Sequence, residues 1–137
     1  MVGVSRSYQL LIADDDPGFR ETLRDILEPC FVLIEAESGE EALAIIEYQP
    51  VDIALLDMNM QRLTGLETLR LIKSVNDLAP CILITADVTD ELVRDAHDAD
   101  AFSVLSKPVT RSDLVRTVHT AMTDVYHDPQ ALAALLN

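Results

Sequence analysis

Short apolar runs alternate along this chain with longer stretches whose apolar residues recur every three or four positions. The runs at residues 8–13, 31–35, 52–57, 81–85 and 101–105 have mostly apolar interiors rich in Leu, Ile and Val. Strands covered on both faces read this way, because neither face is left to water. The intervening stretches predict helices. Pro17 suits the first turn of a helix running to about Glu28, where Pro29 stops it. Ser38 with Glu41 three residues on predicts a capping box, opening a helix that turns Ala42, Leu43, Ile45 and Ile46 inward and ends before Pro50. Gly65 precedes a helix with Leu66, Leu69 and Ile72 on one face. A fourth, weaker helix is predicted from Val88 to about Asp98. A fifth runs from Ser112 to about Tyr126, with Leu114, Val115, Val118, Met122 and Val125 as its apolar stripe.

Five strand–helix repeats imply a parallel sheet with helices on both faces. At 137 residues the chain suits one domain with one sheet. The flavodoxin-like (βα)5 three-layer sandwich, with strand order 2-1-3-4-5, fits this length. In that order the first and third strands are neighbours at the switch point, where ligands bind beyond the carboxyl ends of the strands. The first apolar run passes through Ala13 straight into Asp14 and Asp15, and the third ends on Asp57. Three carboxylates are therefore expected at one sheet edge. Acids packed that closely repel, and a hard divalent cation relieves the repulsion. The pattern predicts a Mg²⁺ (or Mn²⁺) site with one carboxylate left for chemistry. Thr85 ends the fourth strand and Lys107 follows the fifth, so both are expected on the same rim. Asp16, directly before Pro17, reads as a helix cap outside the site. The sequence divides into a domain over residues 8–127 and a tail over 128–137, which reads either as a short extra helix or as the stub of a linker.

Charge narrows the function. A formal net charge of −14 disfavours a nucleic-acid surface, because phosphates would be repelled, and disfavours an anionic membrane surface for the same reason. The apolar stretches are too short to span a bilayer, and a cytoplasmic protein is expected. Cys30 and Cys81 are isolated, each beside apolar residues, and read as reduced core fillers rather than metal ligands. His97, His119 and His127 lack metal-ligand spacing.

Four stretches stand in order and in register on these units: LLIADDDP, ALLDMN, ILITAD and SVLSKP. With them the chain resembles the receiver domain of bacterial two-component response regulators, over about residues 8–126. The resemblance implies that Asp57 is the phosphoacceptor, taking a phosphoryl group from a phosphohistidine of a sensor histidine kinase or phosphotransfer protein. It implies Asp15, Asp57 and the backbone carbonyl of Asn59 as Mg²⁺ ligands, with Asp14 acting through a metal-bound water. Lys107 and Thr85 would meet the phosphoryl oxygens, and the Lys107–Pro108 bond would be cis. Asn59 and Asp87 occupy positions that tune phosphoryl lifetime in relatives, and the amide–acid pair implies a short-lived state. Relatives dimerise or meet targets through the fourth helix, fifth strand and fifth helix. Here that helix carries Asp90, Glu91, Arg94, Asp95 and Asp98, which suits either a basic partner or plain solvation.

The chain departs from the pattern at two places. Gln61 and Arg62 stand where relatives carry Pro-Gly, and Val104 stands where an aromatic residue is usual. Val104 is stiff at χ1, so the customary threonine–aromatic relay cannot run in its usual form. Two other functions compete with this one. A haloacid-dehalogenase-like phosphatase needs a general acid two residues after the nucleophile, and Asn59 cannot serve. A degenerate receiver acting as a phosphorylation-independent interaction module would have lost key side chains, and here Asp14, Asp15, Asp57, Thr85 and Lys107 are all present. Whether the segment stands alone or belongs to a longer regulator is left open by the tail.

Overall fold

The structure, a computed structural model, describes residues 7–136. Five strands, β1 (Tyr8–Ala13), β2 (Phe31–Ala36), β3 (Ile53–Asp57), β4 (Cys81–Thr85) and β5 (Ser103–Ser106), form one parallel sheet in the order β2-β1-β3-β4-β5. Five helices alternate with them: α1 (Pro17–Leu27), α2 (Gly39–Tyr48), α3 (Gly65–Val75), α4 (Asp90–Asp98) and α5 (Arg111–Tyr126). This is the flavodoxin-like architecture expected from the apolar rhythm.

The period-2 alternation of the strands sorts their side chains into two cores. Tyr8, Leu10, Ile12, Ile53, Leu55, Ile82 and Ile84 face α1 and α5, where Leu23, Leu27, Leu114, Val118 and Met122 meet them. Leu11, Ala13, Ala54, Leu56, Cys81 and Leu83 face the other way, onto Ala42, Leu66, Leu69, Ile72, Leu92 and Ala96 of α2, α3 and α4. Both faces being covered explains why the runs carry so few polar residues.

Local chemistry sets the boundaries, and several differ from expectation. At Ser38 the hydroxyl accepts from the Glu41 N–H at 3.1 Å, which is half of the capping box expected there. The reciprocal pair forms instead at Thr64 and Glu67, where each side chain accepts from the other residue's backbone N–H. The fourth helix starts at Asp90 rather than Val88, because Thr89 caps it by accepting from the Leu92 N–H. The fifth strand starts at Ser103 rather than Ala101. The Ala101 N–H is spent closing the end of α4 on the Ala96 carbonyl, and Asp100 is left-handed (φ 64°). Asp16 caps α1, accepting from Gly18 and Phe19, as its place before Pro17 suggested. The Lys107–Pro108 bond is cis.

Residues 128–136 fold back onto the body. A short 3₁₀ turn at Ala133–Leu135 follows Leu132, whose side chain is fully buried in the α1/α5 core. The Tyr8 hydroxyl donates to Asp128 at 2.8 Å. Of the two cysteines, Cys81 is buried and Cys30 half-buried, and both are free thiols.

Candidate functional site

Parallel pairing brings the candidate residues together. Ala13 of β1 pairs with Leu56 of β3, so the residues that follow each, Asp14 and Asp57, leave the sheet side by side. Asp57 pairs in turn with Ile84 of β4, and Thr85 with Ser106 of β5. Carboxylate oxygens of Asp14, Asp15 and Asp57 all lie within 4.8 Å of one another. Asp14 and Asp57 are buried, at 1% and 4% exposure, while Asp15 is open to solvent. Lys107 arrives from the far side of the sheet on the turn after β5. Its ammonium stands 3.1 Å from Asp57 Oδ1 and 3.3 Å from Asp14 Oδ2, and 4.3 Å from the centre of the Phe19 ring.

The electrostatics follow from this crowding. Burial, reinforced by the Asp57 charge, holds the Asp14 carboxyl above its ordinary value of 3.8, although the Asp16 N–H and Lys107 pull the other way. Burial also works against the Lys107 charge, but Asp57 and Asp14 outweigh it and hold its pKa above 10.5. One cation thus serves two buried anions. Asp57 Oδ1 has no hydrogen-bond donor of good geometry among the described residues; the Lys107 contact is an ion pair. A buried carboxylate oxygen outside any well-formed hydrogen bond, beside two further acids, fits a hard divalent cation, which takes oxygen ligands.

The remaining candidates line the same rim. Thr85 is buried at 2% exposure, and its hydroxyl oxygen accepts from the Asp87 N–H at 3.2 Å. Asn59 is exposed, two residues beyond Asp57. The loop between them and α3 is pinned by Gly65, whose N–H donates to the Met58 carbonyl at 3.0 Å. A Cβ on Gly65 would lie 2.4 Å from the Asp57 carbonyl oxygen, so the loop closes only over a residue without a side chain. Arg62, at left-handed φ (67°), reaches Glu40 at 3.5 Å.

Two contributors were not singled out in the sequence. Arg20 is a buried cation whose Nη1 donates to the Asp14 backbone carbonyl at 2.6 Å. Its signal was present: with Leu23 and Leu27 it occupies the inward stripe of α1, where a charge needs partners. Phe19, under the Lys107 ammonium, left no such signal.

A family model for the response regulator receiver domain matches residues 10–119. The chain belongs to that family. This receiver domain is 38% identical over 109 residues to the response regulator MprA of Mycolicibacterium vanbaalenii, covering 78% of this chain and 47% of that protein. It is 32% identical over 117 residues to the transcriptional regulatory protein PdtaR of Mycobacterium tuberculosis, covering 84% of this chain and 57% of the relative. To the transcriptional regulatory protein GlrR of Escherichia coli it is 30% identical over 114 residues, 82% of this chain and 26% of GlrR. The chain thus spans between about a quarter and somewhat over half the length of these relatives. Among solved structures, a CheY-like receiver domain protein from Methanospirillum hungatei superposes with a TM-score of 0.85 at 24% identity, covering 90% of this chain and 99% of that one. A receiver domain protein from Clostridium thermocellum does so with a TM-score of 0.78 at 28% identity, over 85% of this chain and 95% of that one.

The face between α4 and β5 is partly apolar. Val88 and Val93 are exposed beside Ala96, Phe102 and Val104, around a shallow cavity of about 330 Å³ between α4 and β5. Asp90, Glu91, Arg94 and Asp98 of α4 face solvent. Among the described residues, no helix is long and apolar enough to cross a membrane.

Proposed function

We propose that this receiver domain accepts a phosphoryl group on Asp57 from a phosphohistidine of a sensor histidine kinase or phosphotransfer protein. The carrying observation is the meeting of three carboxylates within 4.8 Å, with Lys107 set against Asp57. An Asp57 carboxylate oxygen forms a bond to phosphorus as the donor's N–P bond breaks. The electron pair of that bond stays on the imidazole, and the product is an acyl phosphate. Asp14, Asp15, Asp57 and the Asn59 backbone carbonyl would hold a Mg²⁺ (or Mn²⁺) ion. When bound, the ion supplies positive charge to the phosphoryl oxygens, the main need of such a transfer.

The chain's own residues supply the rest. Lys107, already between Asp14 and Asp57, is placed to follow the new negative charge when it appears on Asp57. The Thr85 hydroxyl spends its acceptor side on Asp87, which leaves its proton to donate to a phosphoryl oxygen. The chemistry of the domain itself is confined to its own phosphorylation and to hydrolysis of the acyl phosphate. Asn59 and the exposed Asp87 can both hold the attacking water, so the phosphorylated state is short-lived, and Asn59→Arg slows its decay. The switch acts on a partner, or on a second copy, through the α4–β5–α5 face.

The test is phosphoryl transfer from a ³²P-labelled histidine kinase or a small acyl phosphate. With Mg²⁺ the wild type takes up base-labile label, and Asp57→Asn and chelator-treated protein do not. Label retained in Asp57→Asn would move the acceptor elsewhere; no label in the wild type from either donor would leave a receiver that works as an interaction module only.

A further inference from the structure

Arg20 is a charged side chain placed inside the protein, on the inner stripe of α1 between Asp16 and Leu23. Its side chain is only 11% exposed. A guanidinium carries five N–H donors in a rigid fork and cannot shed its charge, so burial demands several partners at once. The fork finds them on three separate segments. Nη1 donates to the Asp14 backbone carbonyl at 2.6 Å, Nε donates to Glu35 Oε1 on β2 at 3.1 Å, and Nη2 lies 3.8 Å from Glu37 Oε1 in the turn after β2. Arg24, one turn along α1, takes the other oxygen of Glu35. Glu35 is thereby held by two cations and in turn holds the fork in place.

The atom that Arg20 grips is informative. The Asp14 carbonyl belongs to the peptide that joins Asp14 to Asp15. Rotation of that peptide would turn the two side chains relative to each other and to Asp57. The other end of the loop is tied as well: the Asp16 N–H donates to Asp14 Oδ1 at 2.8 Å, and the Asp14 N–H donates to the Ala36 carbonyl at 3.1 Å. The peptide itself has Arg20. We propose that Arg20 is a positioning residue for the metal site, fixing the peptide between the two acids and setting a permanent positive charge behind them. Glu35 orients Arg20. This inference rests on the reading of Asp14, Asp15 and Asp57 as a divalent-cation site. A lysine would keep the charge, but a single ammonium on a flexible stem cannot meet the Asp14 carbonyl and Glu35 in the fixed geometry of the fork.

The test compares the wild type with Arg20→Lys, Arg20→Ala and Arg24→Gln. Arg24→Gln loosens the same ion-pair network without touching the Asp14 peptide, so it reports a merely structural contribution. Two readouts are taken: Mg²⁺ affinity by titration calorimetry, and hydrogen exchange of the residue 14–16 amides in metal-free protein. Loss of an outer partner of a metal site costs roughly 10- to 100-fold in affinity. Arg20→Lys is therefore expected to weaken Mg²⁺ binding about tenfold or more and to speed exchange of the Asp16 amide. Arg24→Gln leaves Arg20 on the Asp14 carbonyl, so both readouts are expected to stay within about twofold of the wild type, well short of the loss for an outer partner of a metal site. Arg20→Lys binding Mg²⁺ as the wild type does, with unchanged exchange, overturns the proposal; so does an equal loss in Arg24→Gln. If Arg20→Ala does not fold, Arg20→Lys still decides. A wild type that binds no Mg²⁺ refutes the cation-site reading, and with it the role assigned here, while the exchange data then show separately whether Arg20 fixes the loop.

Discussion

Replacing Gly65 by alanine probes the closeness of the loop that shapes the site. Gly65 is the first residue of α3, and its φ is not in the left-handed region, so conformational freedom is not what the position requires. Space is. The added Cβ would stand 2.4 Å from the Asp57 carbonyl oxygen and 2.9 Å from both the Asp57 carbonyl carbon and Met58 Cα. Ordinary carbon contacts begin near 3.5 Å, so backbone must yield by about 1 Å. None of these atoms is the end of a flexible side chain that could swing aside. Overpacking of this kind costs about 1–3 kcal/mol, and helix propensity returns at most about 1 kcal/mol in favour of alanine. A net loss of up to roughly 2 kcal/mol lowers the melting temperature of a domain this size by up to about 8 °C. The larger effect falls on phosphorylation, because the displaced atoms belong to Asp57 and Met58. A 1 Å misplacement of a reacting group costs about 100-fold in rate. Differential scanning calorimetry and the initial rate of ³²P uptake measure the two. Gly18→Ala is the control: its Cβ meets only the Asp16 carboxylate, at 3.3 Å, and its rate of uptake should match the wild type. Gly65→Ala melting at or above the wild type, with an unaltered rate of uptake, would refute the close approach.

Other consequences are measurable in the same preparations. Mg²⁺ at about 100 times its Kd should add about 2.7 kcal/mol of stability by mass action, seen as a rise in melting temperature that Asp15→Asn reduces; no rise at any concentration contradicts the site. Burial pushes the Cys81 thiol from 9.0 up to about 11, so the folded state keeps this proton after the unfolded state has released it. Stability should accordingly fall as pH rises from 9 toward 11, by on the order of 3 kcal/mol at about 1.4 kcal/mol per unit; denaturant melts of Cys81→Val should lack that part of the alkaline slope. Leu132→Ala should cost about 2–5 kcal/mol, the range for a fully buried leucine. An unchanged denaturation midpoint would mean that residues 128–136 contribute nothing to the core.

The legible parts of this structure are those fixed by neighbours in sequence. Each apolar run had to be a covered strand because it carried no polar face, and an acid directly after such a run had to emerge at the sheet edge. Once the order 2-1-3-4-5 is adopted as the one that fits this length, the first and third strands are neighbours at the switch point, and the places of Asp14, Asp57 and Thr85 at the ends of their strands bring them to one rim. What escaped depends on where side chains travel afterwards. Arg20 sits in a helical stripe whose other members are apolar, and only the tertiary structure shows that the Asp14 carbonyl and Glu35 wait for it. Phe19 meets Lys107 across 88 residues of chain, a contact no local pattern encodes. The tail was ambiguous because Leu132 reads the same way on a solvent-facing linker and against Tyr8, Phe31 and α5. At the boundaries the winner was chemistry at single hydrogen bonds. Thr89 outcompeted Val88 for the start of α4 because a hydroxyl can accept an orphan N–H and a valine cannot. The same rule separates Thr64 from Ser38: both cap a helix, but only at Thr64 does the glutamate three residues on also turn back to close the pair. Sequence order therefore dictates which acids meet and sets Lys107 on their rim, whereas Arg20, which grips the Asp14 carbonyl from α1, is recruited by the fold.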